Sequence, residues 1–253
     1  GHAVRTGGIL GVIGGSGCVA LRPPAATVVP DSAAATPWGE PSGPLWRLDP
    51  AGDRLLQLRH GDPHRFLPHA INYRANLWQL HRAGATAAVG INTVGAIAPG
   101  LPVGSLVLPD QLVDYTHGRA ASFEGAAGTA GPHVDFGAPI DGGLVAALAA
   151  AAQAAGVAVV RGGTYAVTQG PRLETAAEID RLERDGCSLV GMTAMPEAVL
   201  ARELRLPYAL VCIVVNPAAG RGAGPLDAAA MGRAAASALA SVARLLAGLA
   251  PAR

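Results

Sequence analysis

The segment Asn72–Gly104 constrains the fold more than any other, because it sets a helix and a buried strand end to end. Tyr73, Leu77, Trp78 and Leu80 give Asn72–Ala83 a helical apolar face, and Gly84 stops the helix. The next run, Ala85–Ile91, is apolar without a break and predicts a buried strand.

The same alternation recurs along the chain. Gly8–Ile13 reads as a strand ended by the glycine turn Gly14–Gly17, and Arg54–Arg59 as a strand ended by His60–Gly61. Leu21–Pro50, rich in Pro and Ala, predicts loops with a hairpin. Ser105–Val113 reads as a strand, and the small, polar Gly118–Gly131 as a mobile loop. Asp141–Ala155 predicts a helix with Asp141 as N-cap and Gly156 as its stop. Val157–Thr168 holds strand, turn and strand; Thr175–Arg184 is an amphipathic helix; Cys187–Met192 is a strand. Pro196–Leu204 predicts a helix opened by its proline, Tyr208–Val215 an apolar strand, and Ala228–Leu249 a long final helix. Strands alternating with helices imply an α/β fold: one domain over residues 1–253, with a central mixed sheet flanked by helices. Gly1–His2 reads as the remnant of a tag.

Composition narrows the class of function. With 253 residues, half of them apolar, one large core is affordable, and the formal charge is only +1. The arginines are scattered, which argues against nucleic acid or a membrane surface as partner. No apolar run reaches the roughly 18 residues that cross a bilayer. Cys18, Cys187 and Cys212 show no paired spacing, so a reducing, cytoplasmic setting is expected.

The motifs lie at strand ends. Gly15-Ser16-Gly17-x-x-Ala20 fits a relaxed dinucleotide fingerprint, but Arg22-Pro23-Pro24 follows where that motif needs a helix. A loop whose amides and Ser16 hydroxyl hold a phosphate fits better, since glycines admit an anion close to the backbone. Arg59-His60 offers a guanidinium that forks onto phosphate oxygens, with a second cation beside it. Thr168–Glu174 joins a stiff Gly-Pro turn to a carboxylate. Met192-Thr193 precedes a helix whose N-terminus favours an anion, and Asn216-Pro217 closes the last strand. The histidines are too irregularly spaced for a metal site.

In order and spacing, the run Arg59–Gln111, the run Gly170–Gly191 and the run Met192–Glu203 resemble the trimeric purine nucleoside phosphorylases, nearest the 5′-methylthioadenosine phosphorylase branch. The likeness spans Gly8 to about Leu210 and thins across Leu21–Pro50 and after Gly220. It implies the phosphorylase fold, in which the mixed sheet is partly barrel-like. It implies a phosphate site of Ser16, Arg59, His60, Asn92, Thr93 and Thr193. It places Met192 under the ribose hydroxyls, His64 near the sugar 5′ side, and Val94, Gly95 and Leu173 against the purine. Leu173 departs from the phenylalanine common there. Through His133 it implies a segment that reaches a neighbouring subunit's site, hence a homotrimer. Inorganic phosphate is a co-substrate, and no metal or organic cofactor is expected.

Two departures bear on the base. The adenine-specific branch carries aspartates where this chain has Asn216 and Ala218. Glu174 with Asn216 matches relatives that act on 6-oxopurines, and these two, with His60, are the expected catalytic groups. Hypoxanthine presents an acceptor at C6 and, as it departs, a donor at N7; a carboxamide serves both. An aspartate only accepts, and leaves the C6 oxygen unpaired at about 1–3 kcal/mol. Relatives that take inosine place a histidine on its 5′-hydroxyl, but Ala219–Ala240 has none and offers Leu226 and Met231. The expected substrate is therefore a 6-oxopurine nucleoside with an apolar 5′ group, S-methyl-5′-thioinosine. Inosine or guanosine, methylthioadenosine, a non-catalytic nucleoside-binding protein and a dehydrogenase are the alternatives.

Overall fold

The computed structural model describes residues 7–250. It is a mixed α/β fold whose eleven-stranded sheet is flanked by helices. Strand β5 (Ala87–Ala96) is its hub, because it is longer than the apolar run that announces it and changes neighbours along its length. Its first half lies parallel to β1 (Leu10–Gly14), from Ala87 opposite Leu10 to Ile91 opposite Gly14. Its far end lies antiparallel to β10 (Leu189–Gly191), with Gly95 opposite Val190. On the other edge β11 (Tyr208–Pro217) runs parallel to it throughout. The edge of β5 between Ile91 and Gly95 thus passes from one partner to the next, and the sheet forks there.

Beyond β1 the order is β4 (Arg54–Leu58), β3 (Leu45–Arg47) and β2 (Thr27–Val28), so the expected hairpin in the Pro/Ala-rich stretch is the antiparallel pair β2–β3. The expected strand Ser105–Val113 is two, β6 (Leu106–Leu108) and β7 (Gln111–Asp114). Pro109, which lacks an amide hydrogen, sits at the break. Strands β8 (Val160–Arg161) and β9 (Thr164–Val167) run beside them in parallel, broken at Gly162–Gly163. A ring follows from these pairings: β5 to β11, β11 to β6, along the chain to β7, then β9, β10 and back to β5. This is the partly barrel-like half of the sheet.

The helices begin where local chemistry directs. Asn72 accepts from the Ala75 amide at the start of α1 (Tyr73–Arg82), and Asp141 from the Leu144 amide at the start of α2 (Gly142–Ala154). Thr175 and Glu178 form a reciprocal capping box on α3 (Ala176–Arg184). Helix α4 spans Ala194–Glu203, but Met195 is non-helical, so its regular part does begin at Pro196. Helix α5 (Ala228–Ala247) packs on β11 through Ala235, Leu239 and Val242. The cysteines are free and buried, and no helix among the described residues is long and apolar enough to cross a membrane.

The stretch 118–131 departs from the expectation of a mobile loop. Phe123 is wholly buried, its ring 5.4 Å from that of Trp38 and 5.7 Å from that of Trp78. The Phe123 amide and the Ser122 hydroxyl both donate to Glu203 Oε1, each at 3.1 Å. One buried aromatic and one carboxylate anchor a segment whose composition is otherwise that of a loop. Phe123→Ala should cost about 3–5 kcal/mol, read as a lower midpoint in thermal or urea unfolding.

Candidate active site

A cleft of about 400 Å³ opens where the sheet forks. It gathers Ser16, Arg59, His60, His64, Thr93, Val94, Gly95, Leu173, Glu174, Met192, Thr193 and Asn216, which lie far apart in sequence. A short 3-10 turn, Cys18–Leu21, follows the glycine turn where a dinucleotide fold needs a long helix.

The base of the cleft is a buried ion pair. Arg59 is completely buried; its Nε donates to Glu197 Oε2 at 2.7 Å and its Nη2 to Oε1 at 2.8 Å. Nη2 also reaches Ile13 O and Asn92 Oδ1, and Nη1 donates to Ile91 O at 3.3 Å. A guanidinium has five N–H donors, so Nη1 keeps one for the cleft. Burial alone would lower the Arg59 pKa, but the Glu197 carboxylate outweighs it and holds the cation charged. Gly15 is required above it: a Cβ there would stand 2.8 Å from Nη1 and 2.9 Å from Ile91 O. The Gly15 amide is committed to Ile91 O, which leaves the amides of Ser16 and Gly17 to serve an anion.

Several expectations need correction. Asn92 lies beneath the cleft, 1% exposed, and is not in its lining. It accepts from Arg59 and donates to Thr193 Oγ1 at 3.0 Å and Tyr165 Oη at 3.1 Å, so it orients the groups above it. His60 is not a second cation. Burial first, then the Arg59 charge, pushes its pKa down to about 4, so the free ring is neutral at pH 7. Its Nδ1 lies 2.8 Å from Phe66 O, which sets the tautomer with Nδ1–H donating and leaves Nε2 as an acceptor. The His64 ring stacks on it at 4.2 Å and places Nε2 3.5 Å from Ser16 Oγ. The anion expected at the N-terminus of α4 is in part the protein's own, since Glu197 occupies its first turn.

At the opposite end the lining changes to a carboxamide and a carboxyl group. Strand β11 slips register against β5 between Val214 and Asn216, and this bulge brings Asn216 opposite Gly95. Asn216 Nδ2 donates to Pro217 O at 2.6 Å, which leaves Oδ1 and one N–H uncommitted. A Cβ on Gly95 would stand 3.2 Å from Val190 Cγ1 and touch the Asn216 amide at 3.4 Å. Glu174 Oε2 accepts from Thr168 Oγ1 at 3.0 Å, and burial raises its pKa against the pull of that hydroxyl. Ala218 is buried behind this wall in a small apolar cluster and does not line the cleft.

The third side is apolar. Ala228, Met231, Gly232 and Ala235 of α5, with Val215 and Leu67, form it. Of the two apolar residues expected here, Met231 lines the cleft, whereas Leu226 is half-buried ahead of α5 and does not. His133 is exposed and outside its own chain's cleft, in a stretch held by Arg202, which donates to Asp135 O and Ala138 O at 2.5 Å. Sequence reasoning passed over Glu197, Tyr165 and Arg119. Only Glu197 carried a signal: an acid in the first turn of an otherwise apolar segment.

The model of the family described as "Phosphorylase superfamily" matches residues 9–250. A Pseudomonas syringae protein named probable S-methyl-5′-thioinosine phosphorylase is 53% identical over 74% of this chain and 76% of its own length. A Bradyrhizobium diazoefficiens S-methyl-5′-thioadenosine phosphorylase is 44% identical over 83% of this chain and 72% of its own. Among solved structures, Schistosoma mansoni methylthioadenosine phosphorylase in complex with adenine superposes with a TM-score of 0.85 at 27% identity, covering 95% of this chain and 90% of that one. The chain is an enzyme and belongs to the phosphorylase superfamily.

Proposed function

We propose that the enzyme cleaves the N-glycosidic bond of S-methyl-5′-thioinosine with inorganic phosphate, giving hypoxanthine and 5-methylthioribose 1-phosphate. The observation that carries this reading is the placement of Asn216 and Glu174 on one wall of the cleft whose far end holds Arg59. Relatives at 53% and 49% identity bear the corresponding name, which supports the choice of substrate.

Phosphate would rest on Ser16, Thr93, Thr193 and the remaining N–H of Arg59. One of its oxygens attacks the anomeric carbon as the bond to N9 breaks, and the electron pair leaves with the purine. The sugar is cationic in passing, and the phosphate beneath it stabilises that charge. The proton given up by hydrogen phosphate ends on the released base. Neutral His60, with Nε2 as acceptor, suits the phosphate hydroxyl on that path. Glu174 would accept from the purine N1–H, while Asn216 donates to the C6 oxygen and accepts from N7–H. Positioning and charge supply the acceleration. Met231 and its neighbours suit a methylthio group better than a hydroxyl, a preference worth a few kcal/mol at most.

A homotrimer with His133 completing the adjacent site is part of the proposal, supported by the exposure of His133 and of the cleft-lining Leu67 and Leu173. The free thiols favour a cytoplasmic setting.

Base release from methylthioinosine should require phosphate and exceed that from methylthioadenosine, inosine and guanosine in parallel assays. Faster release from methylthioadenosine would overturn the base assignment, and faster release from inosine the 5′ assignment. Asn216→Asp should lower methylthioinosine turnover about 10- to 100-fold, the cost of one unpaired C6 oxygen, while sparing methylthioadenosine. His60 gives a stability signature. Its pKa falls from 6.5 unfolded to about 4 folded, so the unfolded chain binds more protons between those values. Stability contributed by neutral His60 is present above pH 6.5 and lost as pH falls toward 4, on the order of 3 kcal/mol in all. Melting curves across that range should flatten in His60→Gln.

A further inference from the structure

Arg119 has no assigned role, yet its guanidinium bridges the two strand ends that carry opposite halves of the cleft. Nη1 donates to Met192 O at 2.7 Å and Met195 O at 2.8 Å, on either side of Thr193. Nη2 donates to Gln169 O at 3.0 Å and approaches Thr168 O at 3.5 Å, and Nε reaches Gln169 Oε1 at 3.2 Å. Thr168 holds Glu174, while Met192 and Thr193 line the sugar and phosphate side. Among the described residues no carboxylate pairs with Arg119; carbonyl oxygens, an amide oxygen and the Tyr73 hydroxyl at 3.3 Å surround it.

We propose that Arg119 is a positioning residue for phosphorolysis, fixing the distance between the phosphate-side Thr193 and the base-side Glu174. The argument is geometric. A planar fork presents its donors in fixed directions, so satisfying Met192 and Met195 with one nitrogen and Gln169 with the other leaves the two strand ends little freedom. A lysine, a point charge on a flexible stem, serves one end or the other. Nucleophile and leaving group are held from these two ends, so slack between them enters the barrier directly, and a displacement near 1 Å costs about 10²-fold in rate. The role belongs to the rim alone. The loop bearing Arg119 is independently seated by Phe123 and by the Glu203 carboxylate, so loss of the guanidinium should leave the fold standing.

This inference rests on the phosphorolysis reading, so wild-type turnover of methylthioinosine with phosphate is measured first; failure there refutes that reading and says nothing about Arg119. Given turnover, Arg119→Ala should lower kcat by about 10²-fold with the thermal midpoint close to wild type. Arg119→Lys should recover little of it, whereas low millimolar guanidinium chloride should restore part of the Arg119→Ala rate and none of the wild type's. Unchanged kcat in Arg119→Ala overturns the proposal. So does a loss of rate that tracks a collapsed thermal midpoint with no guanidinium rescue, because Arg119 would then be merely structural.

Discussion

The buried pair of Arg59 and Glu197 is the interaction on which the rest of the site depends. It joins the end of β4 to the first turn of α4, with both side chains about 1% exposed. A charge so far from water is tolerated only when paired and fully hydrogen-bonded, and removing one partner of such a pair typically costs about 3–5 kcal/mol. The surroundings meet that condition. Tyr208 Oη donates to Glu197 Oε1 at 2.7 Å, while Asn92 Oδ1 and Ile13 O accept from Nη2 and Ile91 O from Nη1, which leaves a single Nη1 hydrogen facing the cleft. Gly15 follows as a necessity, because any side chain there would displace the cation from the carbonyl it binds.

Fixing one cation at the fork gives the cleft its polarity. One end combines the remaining N–H of Arg59 with the hydroxyls of Ser16, Thr93 and Thr193, a surface rich in hydrogen-bond donors. The other end offers a carboxamide and a carboxyl held by short local contacts to Pro217 and Thr168. The side between them is the apolar face of α5, which packs on β11 and so lies over the strand that carries Asn216. His60 belongs to the Arg59 end yet stays uncharged, because burial and the adjacent guanidinium both oppose its protonation. Neighbouring basic residues in a sequence therefore need not be neighbouring charges.

The fork exists because β5 outlasts β1. Where β1 turns away at Gly14, β5 continues to Ala96 and is taken up by β10 from the other direction. Backbone groups on that edge cannot remain unpaired in a buried place. The gap is closed from distant segments: Arg59 Nη1 and the Gly15 amide donate to Ile91 O, and the Asn92 side chain next to it donates to Thr193 Oγ1 at the start of α4. Crevices where strands part company are where α/β sheets gather ligands, for this reason.

The sequence by itself determined the alternation of strands and helices, the cap at Asp141, and the placement of polar groups at strand ends. These follow from periodicity and local hydrogen bonding, which act over a few residues. It also set the chemical types along the cleft, from Ser16 and Arg59 to Glu174 and Asn216. Only the tertiary structure decided which of those groups face the cleft. Asn92 and Ala218 went beneath it, Met231 but not Leu226 reached it, and Arg119, inconspicuous in a stretch of small residues, became the bridge between Met192 and Gln169. Burial and the charge of a neighbour depend on segments far apart in sequence meeting in space, and no local pattern records where they meet.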